Sequence, residues 1–152
     1  MSGKSGKIEA LIAKYQSFGW RANYLCYFDL FNRQEYYDAH DVLEELWLKD
    51  GKLSINFAFY KGLIQCTGAF VHMQKHYAEP LHRAHSQRLR PAYRLLRLCW
   101  QNMQFYPDIH EQLDLRDVRR LCVFYGHELQ KSQYRENPWS PIGAPQLHLL
   151  AK

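Results

Sequence analysis

The sequence has no long hydrophobic run, and we expect no secretory leader at its start. No uninterrupted apolar stretch approaches the roughly 20 residues that cross a bilayer as a helix. The start, Met1–Lys7, is polar and is followed by an amphipathic stretch, so it does not form a signal-peptide core. We therefore expect a cytoplasmic protein with no membrane partner.

Closely spaced cysteines are also missing. The four cysteines form no C-x-x-C pair, and each lies in an apolar stretch: Cys26, Cys66, Cys99 and Cys122. This pattern predicts reduced, buried thiols in a cytosolic protein.

A large charge of one sign is absent as well. The formal net charge of +5 is mild and does not by itself imply nucleic acid. What the chain does have is aromatic residues, at 15%, and a hydrophobic content of 47% over 152 residues. Such a chain is long enough for one domain, with a core built from large rings.

Strand-like alternation is missing, and apolar residues recur at helical spacing almost throughout. We predict an all-α, single-domain bundle of five or six helices: an N-terminal helix and connector over 1–21, the bundle over 22–131, and an irregular, proline-rich tail over 132–152. Gly19 and Gly51 are expected to end helices, Asn32 to be a left-handed stop, and Asp114 to cap the last helix. Trp139 and Ile142 are expected to pack the tail onto the bundle.

The third predicted helix, about 34–48, carries His40 and Glu44 four residues apart. That spacing places an imidazole and a carboxylate on one face, at the edge of an apolar stripe containing Leu43 and Trp47.

The fourth predicted helix, about 53–75, is apolar nearly all round except for one narrow polar strip: Lys61, Gln65, Gly68, His72 and His76. Helices joined by a short turn usually pack antiparallel. We therefore predict that the two polar faces meet in a semi-buried pocket with Tyr36 and Trp47 at its rim.

Two motifs resemble the signature of domain of unknown function family 309, a family of small all-helical proteins. The first runs Phe31-Asn32, then Glu35 to Glu44 and Trp47, and the second is Lys61 to Gln65 followed by Ala69 and His72. The resemblance covers about Phe28 to Leu129. It implies the helical fold and, with the strip above, gives the expected ligand pocket as His40, Asp41, Glu44, Trp47, Lys61, Gln65 and His72. Asp41 stands where the family usually has Glu.

The pocket admits four interpretations, which leave open whether the chain is an enzyme. One is a site for a small polar ligand or ion, and another is a metal-dependent hydrolase-type centre with a divalent metal as cofactor, held by His40, Glu44 and His72. A third is a metal-free acid–base site, with His40 or His72 as the proton carrier and Glu44 orienting it. In the fourth, these groups form a hydrogen-bond network that fixes helix register.

A dense cationic stretch follows the second motif, with His82 and His85 among its arginines: Arg83, Arg88, Arg90, Arg94 and Arg97. Exposed, these residues would suit a nucleic-acid backbone. Packing of basic on acidic helices, within the bundle or between subunits of a homo-oligomer, is the interpretation we favour, because the aromatic residues follow core spacing and form no stacking platform.

Overall fold

The computed structural model describes residues 6–83 and 87–151. Predictions for residues 1–5, and for His85 of the cationic stretch, lie outside this part. The described residues form six α-helices: α1 Gly6–Lys14, α2 Arg21–Asn32, α3 Tyr36–Asp50, α4 Phe57–Ala78, α5 Leu89–Met103 and α6 Leu115–Lys131. A 3-10 helix, Gln16–Phe18, follows α1. The prediction of an all-α bundle with an irregular C-terminal region is confirmed.

Helix α4 is the centre of the bundle. It packs against α3 on one side and α5 on the other, while α2 covers α3 and α6 covers α5. Two hydrogen bonds show that α3 and α4 are antiparallel: Trp47 Nε1 donates to the Phe57 carbonyl at 3.1 Å, and Gln74 Nε2 donates to the Gln34 carbonyl at 2.9 Å.

Aromatic rings from different helices form the middle of the core. Phe70 of α4 contacts Phe31 of α2, Tyr36 of α3 and Tyr125 of α6, with ring centroids 5.1–5.5 Å apart. The Tyr27 hydroxyl is fully buried and donates to the Leu63 carbonyl at 2.9 Å, so its polar tip is satisfied. The apolar face expected on α4 is buried along its whole length.

Most helix ends follow their expected signals. Gly19 and Gly51 adopt positive φ angles of 62° and 75°, which other residues take less readily. The Asp114 side chain caps α6 by accepting a hydrogen bond from the Arg116 backbone N–H.

Two local predictions are wrong. Asn32 is helical, and the left-handed residue is Gln34, with φ 63°. Helix α4 begins at Phe57, because Leu53 and Ile55 are exposed in the preceding turn instead of continuing the apolar stripe. A small antiparallel ladder, β1 Ile109–His110 with β2 Leu113–Asp114, precedes α6, and two residues a strand are too few to produce visible alternation.

The tail is irregular but well packed. Trp139 is 3% exposed and its Nε1 donates to the Tyr36 hydroxyl at 3.1 Å, as the burial prediction required. Ile142 is 91% exposed, which contradicts its expected packing, and Leu147 is buried instead. The Asn32 side chain holds this last segment, because it donates to the Leu147 carbonyl and accepts from its N–H, both at 2.8 Å.

The four cysteines are free and buried, as expected. Among the described residues, none of the helices has the length and apolar character needed to cross a bilayer.

Candidate functional site

Three titratable side chains lie together on one side of α3. His40, Asp41 and Glu44 each offer a ligand atom, and these atoms all lie within 4.8 Å of one another. His40 Nδ1 is 3.3 Å from Asp41 Oδ1, and the two side chains are 29% and 26% exposed. We call these three residues the α3 cluster. It is half-buried, so solvent can reach it while the surrounding protein restricts its side chains.

The helix holds the α3 cluster on a fixed support. Ala39, directly before the cluster in sequence, and Leu43, between Asp41 and Glu44, are fully buried. The buried Asn23 side chain of α2 donates to the Val42 carbonyl at 2.9 Å. This anchoring restricts the backbone beneath the cluster, which favours a preformed site.

Trp47 lies one turn beyond Glu44 and has a different role. Besides its hydrogen bond to the Phe57 carbonyl, its ring lies 5.0 Å from the Phe57 ring. The indole therefore fixes the start of α4 against the end of α3.

The polar strip of α4 is paired with residues outside α3. Gln65 Oε1 accepts from Asn102 Nδ2 of α5 at 2.8 Å, and His72 Nδ1 lies 3.1 Å from Arg88 Nη1, just before α5. His76 Nδ1 lies 3.3 Å from Asn137 Nδ2 in the tail. Lys61 is exposed. Gln65, His72 and His76 thus join α4 to the elements that follow it.

Electrostatics fix the state of His72. Burial, and then the Arg88 and Lys75 cations, lower its pKa to about 4. Since a guanidinium can only donate, the neutral imidazole accepts at Nδ1 and carries its proton on Nε2. A neutral, donor-paired histidine of this kind fits a structural contact.

The antiparallel register explains why His72 is not in the α3 cluster. The hydrogen bonds from Trp47 to Phe57 and from Gln74 to Gln34 place Gln65 level with His40. His72 lies roughly 10 Å further along the axis, towards Gln34. The residues that lie together are therefore His40, Asp41 and Glu44, and Asp41 takes the place in the group that the sequence interpretation gave to His72.

The cationic stretch is only partly a free surface. Arg88 is half-buried against His72, and Arg90 lies over the Tyr134 ring at 4.2 Å. Arg97 lies 5.9 Å from the Tyr93 ring centre. Arg83 and Arg94 are exposed. At least three of the five arginines therefore contact groups of the bundle itself.

Sequence reasoning missed two asparagines that contact the polar side chains of the α4 strip. Asn102 and Asn137 satisfy side chains of the α4 strip, and Asn137 Nδ2 also donates to the Met73 carbonyl at 2.7 Å. Nothing local marks them, since an asparagine in a helix or a tail has many uses. Asn32 is different, because its place in the first family motif marks it in the sequence. In the structure, its side chain holds the tail.

The comparisons with known proteins concern the part of the chain that contains the α3 cluster. Residues 24–84 match the model of the family described as Domain of unknown function (DUF309), which confirms the resemblance given by the two motifs. The matched range covers most of α2 and all of α3 and α4, and is shorter than the range expected from the motifs. No curated protein and no solved structure matches the chain.

Proposed function

Residues 24–84 match the family described as Domain of unknown function (DUF309), and within them we propose a metal site. We propose that this chain binds a divalent metal ion through His40, Asp41 and Glu44. The observation that carries the proposal is the grouping of three potential ligand atoms, one from each residue, within 4.8 Å on a single helix.

The spacing of the α3 cluster suits coordination. Neighbouring ligands of an ion with bonds of about 2.1 Å lie roughly 3.0–3.5 Å apart. His40 Nδ1 and Asp41 Oδ1 are 3.3 Å apart, within that interval. The Glu44 side chain is flexible at its end, so rotation about its terminal torsions closes the remaining distance without backbone movement.

The chemistry of the cluster selects the kind of ion. One imidazole nitrogen with two carboxylates suits Mn²⁺, Fe²⁺ or Zn²⁺ better than Ca²⁺ or Mg²⁺, which prefer all-oxygen sites. Three protein ligands leave at least one coordination position for water or a small anion. A hydrolase-type activity would use that position, whereas ion binding requires only the three side chains.

The proposal accounts for the contrast between the α3 cluster and its surroundings. Two carboxylates beside each other on one helix repel, and an ion removes that repulsion. The α4 strip needs no such ligand, because Gln65, His72 and His76 already have protein partners.

Titration calorimetry of chelator-treated protein with Mn²⁺, and separately with Zn²⁺, tests the proposal. We expect one ion per chain, with binding lost in His40→Ala and in Glu44→Gln. Glu45→Gln is the matched control: it removes the same charge from the adjacent residue, which is outside the cluster, and should keep wild-type affinity. Equal losses in Glu44→Gln and Glu45→Gln, or no saturable binding to the wild type, would reject the site.

A further inference from the structure

A second candidate site lies on the opposite part of the bundle, between α5 and α6. The two helices leave a cleft of about 310 Å³. That volume is at the lower end of the range found for small-molecule sites. Its walls are Tyr93, Arg97, Trp100 and Gln101 on α5, and Val123, Gly126, His127 and Gln130 on α6, over Leu96 and Cys122.

A glycine borders the cleft. Gly126 is buried, and a Cβ atom added there would meet the Tyr93 ring at 3.7 Å, an ordinary contact distance. A longer side chain at this position would extend into the space between the helices. The slot between the helices is therefore bordered by the Tyr93 ring and the bare Gly126 backbone, which lie close together.

Aromatic surface is available at this slot. Trp100 is 42% exposed although it lies on the core-forming helix α5, and Val123 on the other wall is 59% exposed. Exposed rings beside an opening of ligand size offer apolar area that a planar ligand can cover.

The polar groups of the cleft have spare hydrogen-bonding capacity. Among the residues that the structure describes, the side chains of Gln101, His127 and Gln130 make no hydrogen bond within the protein. Arg97 forms no hydrogen bond or ion pair with any described residue, and its guanidinium lies 5.9 Å from the Tyr93 ring centre. Its donor fork is free to bind an oxyanion.

The sign of the charge in the cleft is uniform. None of its ten lining residues is acidic, and Arg97 is a permanent cation. An arginine next to exposed rings recognises a ligand with a flat apolar body and a carboxylate at one end.

We infer that the α5–α6 cleft binds a small aromatic carboxylate, with its ring between Tyr93 and Trp100 and its carboxylate on Arg97. This inference does not depend on the metal proposal, since the cleft and the α3 cluster share no residue.

The probe that tests this site is naphthalene-2-carboxylate, added to metal-free protein and followed by ¹H–¹⁵N NMR. We expect saturable shifts of the Trp100 indole N–H and the Gly126 amide. Arg97→Gln should weaken binding by about ten-fold to a hundred-fold, the effect of losing a charged hydrogen-bond partner. Arg94→Gln is the matched control, because Arg94 lies one turn away on α5 and does not line the cleft.

Two further measurements keep the test decisive. Gly126→Leu should abolish the shifts by filling the slot, and Gly126→Ala, whose Cβ fits at ordinary contact distance, keeps the fold and should weaken binding. Naphthalene-2-carboxamide, with the same ring and no charge, should bind at least about ten-fold more weakly. Absent shifts at millimolar probe, equal effects of Arg94→Gln and Arg97→Gln, or shifts that follow protein concentration instead of probe would each overturn the inference.

Discussion

The α3 cluster and the polar strip of α4 lie on neighbouring helices but differ in how their polar groups are satisfied. In the strip, Gln65, His72 and His76 each have a partner on another element. In the cluster, the His40 side chain contacts that of Asp41, its own neighbour in sequence. Cross-element pairing ties helices together, whereas local grouping leaves ligand atoms directed at a shared space. The comparison teaches that two similar sequence patterns can differ in role: the strip joins helices, whereas the cluster, on our proposal, binds an ion.

The largest expected effect is the stabilisation of the fold by a bound metal ion, which should depend on the α3 cluster and not on the α4 strip. With Mn²⁺ at a hundred times its dissociation constant, the free energy of unfolding of the wild type should rise by about 2.7 kcal/mol, because only the folded state binds. Asp41→Asn should lose this gain, and Gln65→Leu should retain it although its starting stability is lower. Urea denaturation with and without the ion measures both. If Mn²⁺ still stabilised the Asp41→Asn variant, the α3 cluster would not be the metal site.

The next effect concerns the strip. Gln65→Leu should lower the free energy of unfolding by about 1–3 kcal/mol, since Asn102 Nδ2 loses its acceptor in a half-buried position. Adding Asn102→Leu should recover part of the loss, because two apolar side chains leave no orphaned donor. The double-mutant cycle is read from urea denaturation midpoints. Additive losses would mean that the Gln65–Asn102 bond does not stabilise the fold.

A pH effect follows from His72. Its pKa in the folded protein, about 4, is below the ordinary value of 6.5. As pH falls, His72 is therefore protonated in the unfolded chain before it is protonated in the folded protein. The stability that the neutral His72 contributes is complete above pH 6.5 and is lost as pH falls from about 6.5 towards 4. His72→Gln should flatten stability in that window, measured by denaturation at several pH values.

A refinement of the same measurement uses Arg88. Arg88→Met removes a nearby cation and should raise the His72 pKa, although burial, the larger cause, keeps it below 6.5. NMR titration of the His72 ring proton reports the change directly. An unchanged pKa would show that Arg88 does not act on this imidazole.

The smallest expected effect is in the α3 cluster without metal. His40→Ala should change the free energy of unfolding by less than about 0.5 kcal/mol, the usual range for partly exposed groups away from the core. Thermal denaturation in the presence of chelator is the measurement. A loss of the size expected for Gln65→Leu would place His40 among the structural groups.

Specific residues show where sequence reasoning succeeded. The stripe Leu115, Val118, Cys122, Tyr125 and Leu129 is buried as its spacing predicts, because helical periodicity is a local property. The grouping of His40 with Glu44 follows from the same periodicity. In contrast, the start of α4 was misplaced, since Leu53 and Ile55 are apolar but face solvent in a turn.

Side-chain pairs between distant parts of the chain could not be predicted in the same way. Asn102 pairs with Gln65 across 37 positions, and Trp139 reaches Tyr36 across 103. Such pairs depend on how helices turn about their axes and where a tail crosses them. One sequence carries no direct record of either.

By itself, then, the sequence determined the helices, their buried faces and the placing of three ligand-type side chains on α3, because each depends on spacing within one helix. The tertiary structure alone decided that the strip of α4 is paired with α5 and the tail, that His72 lies a distance along the axis from His40, and that Gly126 lines a cleft between α5 and α6. These features arise where two elements meet, and their geometry is set by the register and rotation with which the whole core packs.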